Sequence, residues 1–295
     1  IRGLAASFLV PATIAVGSPS DIGDPAAALV ELERASGGRL GVYLLDTGSG
    51  HGLGLHQDAR FGMCSTFKLL LAAAVLREVD AGRMTLDTVV PYGKADMVAH
   101  APVTELHLAA GSMTIGALAE AAQTTSDNVA ANLLIARLGG PEGVTAILRA
   151  IGDPVTRLDR LEPDMNLVSG AEVRDTTTPL AMANSVARIM TADLLRPRSR
   201  EVLRDWMVAT TTGQRRLRAG LPSVWVAGDK TGTGVHPSMH NKYNDVAVIW
   251  PPGRAPVVVA AYFEADGYYE SMRADDEAVL AQVGRIAASW IGAGG

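Results

Sequence analysis

Ser65 and Lys68 are the two residues whose types and spacing best suit covalent chemistry. The apolar run after them, Leu69 to Leu76, predicts a helix that begins near Ser65, and residues three apart lie on one face of a helix. A serine hydroxyl needs a base within hydrogen-bond reach, and a lysine with a lowered pKa can serve. Free backbone N–H groups at a helix start can also stabilise an oxyanion on the atom attacked. By itself this spacing is more often an N-cap serine beside a solvated lysine.

Three more groups make the pair part of a larger pattern. Ser126-Asp127-Asn128 precedes an apolar helix, Lys230-Thr231-Gly232 ends a predicted strand, and Arg160-x-Glu162-Pro163-x-x-Asn166 falls in a predicted loop. Each has an ordinary structural interpretation: a helix cap, an edge-strand lysine before a turn, and a solvated loop. Four such groups in this order are not expected by chance, so together they indicate one active site.

With these motifs the chain resembles the class A serine β-lactamases over nearly its whole mature length. The resemblance implies hydrolysis of β-lactam antibiotics through a serine acyl-enzyme, and hence β-lactam resistance. Ser65 would be the acylated nucleophile, Lys68 its neighbouring base or proton relay, and Ser126 the residue that passes a proton to the departing lactam nitrogen. Whether Lys68 or Glu162 is the acylation base is disputed in the family and stays open here.

The resemblance also implies the substrate contacts. Asn128 would bind the amide of the substrate side chain and help to orient the lysine base. Lys230, Thr231 and Thr233 would hold the substrate carboxylate. The backbone N–H groups of Ser65 and Thr233 would form the oxyanion hole.

Glu162 decides which kind of serine acyl-enzyme the resemblance implies. An ester on serine hydrolyses slowly unless a base activates a water, and a carboxylate beside an amide can hold that water in line. Glu162 and Asn166 supply this pair, and the resemblance implies that both lie on an Ω-shaped loop with a cis bond before Pro163. The resemblance maps an ion pair that clamps the loop to Arg160 and Asp175, and such a tie is what an exposed loop needs to place a catalytic carboxylate.

Departures from the family pattern concern substrate range. His100 stands where the family often has an aromatic residue at the cleft mouth, so weaker stacking on the substrate is expected. Arg216 aligns with a carboxylate-binding arginine of some members, although its basic neighbours also fit a surface cluster. Thr233 with Arg216 resembles carbapenem-hydrolysing members, but these commonly have a disulfide between the positions of Cys64 and Gly234, which this chain lacks. Penicillins and cephalosporins are therefore the expected substrates, and carbapenem activity stays open.

Composition excludes several classes of function. The chain has 295 residues, 48% of them hydrophobic, which is enough to bury a large core. Its net charge of −5 and the absence of a Lys/Arg-rich run argue against nucleic-acid binding. The expected partners are small-molecule β-lactams, and the protein is expected to be a monomer that needs no cofactor.

Two alternative sites use other residues. Cys64, the only cysteine, is a rival nucleophile, but no Cys-His pairing is visible and a lone cysteine is usually a small buried hydrophobe. A single cysteine also excludes an intramolecular disulfide and a Cys-rich metal site. His236 and His240 would suit a metal on a helix, but Pro237 favours a surface loop, residues 235–243, at the cleft edge. No metal is therefore expected.

Residues 1–18 carry one positive charge, an uncharged apolar stretch and then small residues. This order is typical of the end of a secretory signal peptide, and Pro11 argues against an ordinary buried helix. Residues 1–20 are therefore assigned to a signal-peptide remnant, and the mature protein is expected to be periplasmic or secreted. No later segment has the ~20 uninterrupted apolar residues that span a bilayer, so no membrane anchor is expected.

The predicted elements divide the chain into an α/β part and a helical part. Asp24 and Pro25 begin a helix that ends at Gly37, and strands are predicted at 40–45 and 52–60. Ala, Leu and Met at helical spacing fill residues 69–207. Within that block, helices are predicted at 113–124 and 128–138. After the block, strands are predicted at 224–227, 245–250 and 257–263, and a last helix at 275–291.

Because both ends of the chain have α/β character, residues 24–63 and 213–292 are expected to form one α/β domain around an inserted all-helical domain, residues 64–212. The resemblance implies the two-domain β-lactamase/penicillin-binding (transpeptidase-like) fold. In that fold an antiparallel five-stranded sheet is flanked by helices, and the active site lies between the domains.

Two other functions share parts of this pattern. A D,D-peptidase or low-turnover penicillin-binding protein has the serine, the lysine and Lys-Thr-Gly but lacks the deacylating carboxylate, so Glu162 and Asn166 argue against it. A β-lactam receptor would bind covalently and signal, and no membrane anchor for such a receptor is predicted.

Overall fold

The structure, a computed structural model, describes residues 22–294. The predicted signal-peptide remnant, residues 1–20, lies outside the described residues. The strands are β1 Arg39–Asp46, β2 Gly52–Leu55, β3 Phe61–Gly62, β4 Val89–Pro91, β5 Ser112–Thr114, β6 Thr176–Thr177, β7 Val226–Gly234, β8 Lys242–Trp250 and β9 Val257–Glu264. The α-helices are α1 Pro25–Ser36, α2 Phe67–Asp80, α3 Ile115–Thr124, α4 Asn128–Arg137, α5 Gly140–Ala150, α6 Pro179–Thr191, α7 Pro197–Val208 and α8 Ala274–Gly292.

The two ends of the chain meet in one antiparallel sheet with the strand order β2-β1-β9-β8-β7. β1 pairs with β9 along its whole length, and β9 pairs with β8. Side chains alternate between the two faces of a strand, and Leu40, Val42 and Leu44 of β1 join one apolar cluster with Leu29 of α1 and Leu280 of α8. The expected α/β fold with a five-stranded antiparallel sheet flanked by helices is confirmed.

The helical part of the chain is built around α2, which contacts α3, α4, α5, α6 and α7. Every residue of α2 from Phe67 to Leu76 is buried, so this helix is surrounded by protein on all sides. Lys68 is the one charged residue in that buried run. Because a buried charge is costly unless it is paired, the position of Lys68 calls for specific polar partners.

Two of the element boundaries differ from the sequence prediction near the candidate residues. α2 begins at Phe67, because residues 64–66 form a 3₁₀ turn in front of it. β7 runs from Val226 to Gly234, beyond the apolar signal at 224–227, so the strand continues for two residues past Lys230-Thr231-Gly232. The pairing of β7 with β8 buries polar residues such as Asp229, and these interrupt the apolar pattern from which strands are predicted.

Short strand pairs also interrupt the predicted helical block. β3 pairs with β6, and β4 pairs with β5. The helix predicted from residue 113 begins at Ile115, where the Thr114 side chain caps it, and the strand predicted to reach residue 60 ends at Leu55. Strands of two or three residues are too short to show alternation in the sequence. The domain limits at 24–63, 64–212 and 213–292 stay predictions.

No helix within residues 22–294 combines the length and the apolar character that a membrane crossing requires.

Candidate active site

A cleft of about 630 Å³ gathers most of the candidate residues from distant parts of the chain. Lys68 and Lys230 are fully buried and reach residues of its wall. The predicted site residues that line the cleft are Ser65, His100, Ser126, Asn128, Glu162, Asn166, Arg216, Thr231 and Thr233.

The Ser65 hydroxyl lies between a lysine amine and a carboxylate. Lys68 Nζ donates to Ser65 Oγ at 3.0 Å, and Ser65 Oγ donates to Glu162 Oε1 at 3.1 Å. Lys68 Nζ also lies 3.0 Å from Glu162 Oε1, and both of these side chains are fully buried. The serine proton therefore has two candidate acceptors within hydrogen-bond reach.

Burial and charge act in opposite directions on this pair. Burial lowers the pKa of Lys68 below the ordinary lysine value, and the charge of Glu162 opposes that shift. Burial alone would raise the pKa of Glu162, but the charge of Lys68 and hydrogen bonds from Lys68, Asn166 and Ser65 bring it below the ordinary value. Glu162 is therefore ionised at neutral pH, in the form that can accept a proton.

Ser126 connects the two buried lysines. Its Oγ lies 3.0 Å from Lys230 Nζ and 3.4 Å from Lys68 Nζ, and its backbone carbonyl accepts from Lys68 Nζ at 2.8 Å. Asn128 Oδ1 accepts a further hydrogen bond from Lys68 Nζ at 2.5 Å. Because a hydroxyl both donates and accepts, Ser126 can pass a proton between the cleft and either lysine.

The Ser126-Asp127-Asn128 motif combines helix capping with a contribution to the cleft. Asp127 caps α4: its carboxylate accepts from the backbone N–H of Ala130 at 2.9 Å and of Thr104 at 2.8 Å. Ser126 precedes the cap with a left-handed φ of 63° and, with Asn128, lines the cleft. The helix-cap interpretation therefore applies to Asp127 alone.

β7 is an edge strand of the sheet and passes directly beside Ser65. A Cβ atom on Gly232 would lie 2.6 Å from the carbonyl oxygen of Met63 and 3.2 Å from the backbone nitrogen of Ser65. Only glycine permits this approach. The strand thus brings the backbone of Thr233 to the same wall of the cleft as the backbone of Ser65.

Arg216 is 2% exposed, so its interpretation as part of a surface basic cluster is wrong. Its guanidinium donates to the carbonyl oxygens of Gly232 at 2.9 Å and Asn244 at 2.8 Å, and to Thr233 Oγ1 at 2.7 Å. These bonds hold β7 and orient the Thr233 hydroxyl at the cleft wall. His100, by contrast, is exposed at the cleft edge, where its Nε2 lies 3.1 Å from the carbonyl oxygen of Thr125.

Glu162 is held from two sides. Asn132 of α4 donates to the Glu162 carbonyl oxygen and accepts from the Glu162 N–H, both at 2.9 Å. Asn166 Nδ2 donates to Glu162 Oε2 at 2.6 Å, and the peptide bond between Glu162 and Pro163 is cis. Asn166 Oδ1 is buried and has no hydrogen-bond partner within residues 22–294, so it offers an acceptor for a water beside the carboxylate.

Two residues of this site did not emerge from the sequence. Asn132 lies one helical turn after Asn128 on the same face of α4, and that spacing was the available signal. Thr212, whose Oγ1 lies 2.6 Å from Thr231 Oγ1, comes from a segment without any motif.

The base of the loop that carries Glu162 is closed by Asp175. Arg160 Nε lies 2.6 Å from Asp175 Oδ2, and Asp175 Oδ1 accepts from the backbone N–H groups of Asp159 at 2.7 Å and Arg160 at 3.0 Å. Asp175 is fully buried and has a left-handed φ of 57°. One carboxylate thus joins the two ends of the loop through three bonds.

We expect the substitution Asp175→Asn to loosen this loop, because it removes the ion pair and places an amide NH₂ donor where Oδ2 accepts from Arg160 Nε. Loss of about 1–3 kcal/mol in the free energy of unfolding is the expected magnitude. Limited proteolysis should then cut within residues 160–175 sooner than in the parent. Glu172→Gln is the matched control, because it removes an exposed ion pair with Arg174 from the same loop. Equal digestion of Asp175→Asn and the parent would contradict the clamp.

The structure argues against both alternative sites. Cys64 is fully buried, and burial raises the pKa of its thiol to about 12, so no thiolate is present at neutral pH. His236 and His240 lie in a loop between β7 and β8. Residues 22–294 contain no group of three or more His, Cys, Asp or Glu side chains arranged to hold a metal ion.

Comparisons with known proteins agree with this geometry. Residues 24–291 match the model of the β-lactamase enzyme family. The chain is 48% identical to β-lactamase L2 of Stenotrophomonas maltophilia over 94% of this chain and 90% of that protein. It is 42% identical to the carbapenem-hydrolysing β-lactamase KPC of Klebsiella oxytoca over 92% of this chain and 90% of that protein. An ancestral class A β-lactamase structure matches with a TM-score of 0.86 and 52% identity, over 90% of this chain and all of that one.

Proposed function

The chain belongs to the class A serine β-lactamases and is a β-lactam hydrolase, and on this premise we propose that it works through an acyl-enzyme on Ser65 that Glu162 releases. The observation that carries the proposal is the contact of Ser65 Oγ with both Lys68 Nζ at 3.0 Å and Glu162 Oε1 at 3.1 Å. Hydrolysis of β-lactams confers resistance to these antibiotics.

In acylation, Ser65 Oγ attacks the lactam carbonyl carbon while its proton passes to Lys68 or to Glu162. Both acceptors lie at hydrogen-bond distance, so the geometry favours neither. The C–N bond then breaks, and Ser126 protonates the departing nitrogen while the proton taken from Ser65 passes to Ser126 Oγ through Lys68. The backbone N–H groups of Ser65 and Thr233, brought together by Gly232, stabilise the oxyanion.

The substrate carboxylate is proposed to bind beside β7. Lys230 supplies the positive charge, while Thr231 and Thr233 supply hydroxyl donors on the cleft wall. All guanidinium nitrogens of Arg216 contact protein atoms, so Arg216 acts on the carboxylate through the Thr233 hydroxyl that it orients. Asn128 and His100 also line the cleft, and the substrate side chain is proposed to lie against them.

In deacylation, a water held between Glu162 and Asn166 attacks the ester carbon of acylated Ser65. The ionised carboxylate accepts one proton of this water, and the free Asn166 Oδ1 accepts a hydrogen bond from the other. The ester bond then breaks, and the proton returns to Ser65 Oγ. The carboxylate on this loop is what favours a hydrolase over a D,D-peptidase or penicillin-binding protein.

Two assays distinguish these functions. The hydrolase hypothesis predicts many turnovers of benzylpenicillin per enzyme and no release of D-alanine from an acyl-D-Ala-D-Ala peptide. Peptide cleavage together with a stoichiometric penicilloyl adduct would establish the rival function instead.

The proposed substrates are penicillins and cephalosporins. The relative KPC is named as carbapenem-hydrolysing, and the Thr233–Arg216 contact at 2.7 Å is the feature of this chain that suits such substrates. Where a disulfide would join positions 64 and 234, Met239 Cε lies 3.0 Å and Cys64 Sγ 3.1 Å from the place of a Cβ on Gly234. Action outside the cytoplasm is also part of the proposal and rests on the signal-like composition of residues 1–18.

The pH dependence of kcat/KM tests the role of Lys230. Burial, together with the charge of Lys68, lowers the pKa of Lys230 to about 7. The ammonium form, which attracts a substrate carboxylate, prevails below that pH and is lost above it. We expect kcat/KM for benzylpenicillin to fall about tenfold per pH unit on the alkaline side, because kcat/KM reports the free enzyme.

Lys230→Arg provides the comparison, because a guanidinium stays protonated over the whole range. In this variant the decrease in kcat/KM at alkaline pH should disappear or move to higher pH. A fall that is the same in the variant and the parent would assign the titration to another group.

A further inference from the structure

A second cavity, of about 1000 Å³, shares no lining residue with the catalytic cleft. Its walls come from the start of β1, from β3, from residues 168–173 at the end of the loop that carries Glu162, from the segment 238–242, and from the end of β9. Nothing in the proposed reaction uses this cavity.

Lys242, at the start of β8, lines this cavity and is 2% exposed. Its Nζ donates to the thioether of Met239 at 3.3 Å, and no carboxylate oxygen within residues 22–294 lies within 4.0 Å of it. A thioether is a weak acceptor, and an ammonium buried without a counter-charge costs several kcal/mol. Glu264 lies opposite Lys242 in the β8–β9 pair, but its carboxylate forms an ion pair with Arg39 at 3.0 Å.

Lysine is rare in this chain, and most of its lysines are buried. The sequence has four lysines, against many arginines: Lys68, Lys94, Lys230 and Lys242. Lys94 is exposed, whereas the other three are buried, and two of those have their amines in the proposed reaction. Lys242 is the remaining buried lysine, and it is directed to a different cavity.

The lining carries three cations and three carboxylates, but Arg60, like Lys242, lacks a carboxylate partner among the described residues. Arg60 donates to the carbonyl oxygen of Val155 at 3.2 Å and to Thr176 Oγ1 at 2.8 Å, and it has no carboxylate within 4.0 Å in the part of the chain that the structure describes. The carboxylates of the lining are each paired with an arginine. These pairs are Glu264 with Arg39, Glu172 with Arg174, and Asp266 with Arg273.

We propose that this cavity binds a small organic oxyanion, a phosphate ester or a polycarboxylate, through Lys242 and Arg60. The oxyanion supplies the counter-charge that residues 22–294 do not place within 4.0 Å of either cation, and charge-assisted bonds to lysine and arginine are the common means of holding such groups. The volume exceeds that of an inorganic ion, so the ligand carries an organic part against Val168, Met239 and Ala265.

Binding would join segments that are distant in sequence. Lys242 Cε lies 3.1 Å from the place of a Cβ on Gly62, and Val168 Cβ lies 3.0 Å from the same point. Asn244 ties this region to the nucleophile segment by donating to the carbonyl oxygens of Gly62 at 2.8 Å and Met63 at 3.0 Å. A ligand that bridges β3, β8 and the end of the Ω loop should therefore raise the melting temperature.

The test measures the melting temperature and binding heat of the full chain with two probes, inorganic phosphate and citrate, at constant ionic strength and pH 7. A saturable rise in melting temperature with either probe is expected; the arm that gives it distinguishes a phosphate site from a polycarboxylate site. In Lys242→Met, a substitution of similar volume, affinity should fall at least about tenfold. In Arg60→Gln it should also fall.

Lys94→Met is the matched control, because it removes an exposed lysine and should leave binding unchanged. The catalytic cleft also contains cations that could bind the probes. A rise in melting temperature that persists in both Lys242→Met and Arg60→Gln would therefore place the anion elsewhere and overturn the proposal. The absence of a saturable response to both probes in the parent would also overturn it. Arg60→Gln keeps the test decisive if Lys242→Met does not fold.

Discussion

Glu162→Gln is expected to stop the enzyme after the first half of its reaction. The amide cannot accept a proton from water, so deacylation should slow by about 10²–10⁴-fold. Acylation should be slowed less, because Lys68 Nζ remains 3.0 Å from Ser65 Oγ as an alternative proton acceptor. Mixed with benzylpenicillin, the variant should accumulate an adduct with the mass of the intact penicillin, while the steady-state rate falls.

The control for this variant is Asp164→Asn, which makes the same change of charge two residues further along the loop. Asp164 is exposed and outside the cleft lining, so its substitution should leave both half-reactions near the parent rates. Parent-like turnover in Glu162→Gln would show that another group activates the water. Loss of acylation to the same extent as deacylation would instead make Glu162 the required base of both steps.

Ser65→Ala is expected to abolish the covalent route. Removal of a nucleophile that acts together with its base typically costs on the order of 10⁴-fold or more in kcat. No adduct should form even in the double variant with Glu162→Gln. The measurement is intact-protein mass spectrometry beside the absorbance assay, with circular dichroism to verify the fold.

Cys64→Ala tests whether the neighbouring Cys64, and not Ser65, is the nucleophile. Cys64 is fully buried against β7, where the place of a Cβ on Gly232 lies 3.1 Å from its Cβ. Its replacement by alanine removes one sulfur from the core and should leave turnover near the parent rate. If Cys64→Ala lost the adduct and Ser65→Ala kept it, the assignment of the nucleophile would be wrong.

The residues proposed for the reaction were accessible from the sequence because they stand in short, fixed spacings. Ser65 and Lys68 share one face of a helical turn, and Glu162 and Asn166 share one loop, so local geometry brings each pair together. Strands β8 and β9 were likewise accessible, because their apolar pattern is clear, whereas the five-stranded antiparallel sheet was implied by the family resemblance.

Burial that depends on contacts between segments distant in the chain could not be predicted from the sequence. Arg216 follows another arginine and looked compatible with a surface cluster, yet it is enclosed between β7 and Glu277, whose carboxylate lies 3.4 Å from its Nε. The apolar signal of β7 covered only residues 224–227, because Asp229 and Lys230 are polar but buried by tertiary pairing. Lys242 belongs to no motif, and only the assembled fold shows that it lines a cavity and has no carboxylate partner among the residues that the structure describes.

One experiment tests the acyl-enzyme on Ser65 and its hydrolysis together. The parent protein is mixed with a slight excess of benzylpenicillin, and substrate absorbance, protein mass and the peptide that carries any adduct are followed over the same minutes. We predict many turnovers and a transient adduct confined to the peptide that contains Ser65. A persistent, stoichiometric adduct without turnover, or turnover with no adduct on Ser65 after rapid quenching, would contradict the proposed mechanism.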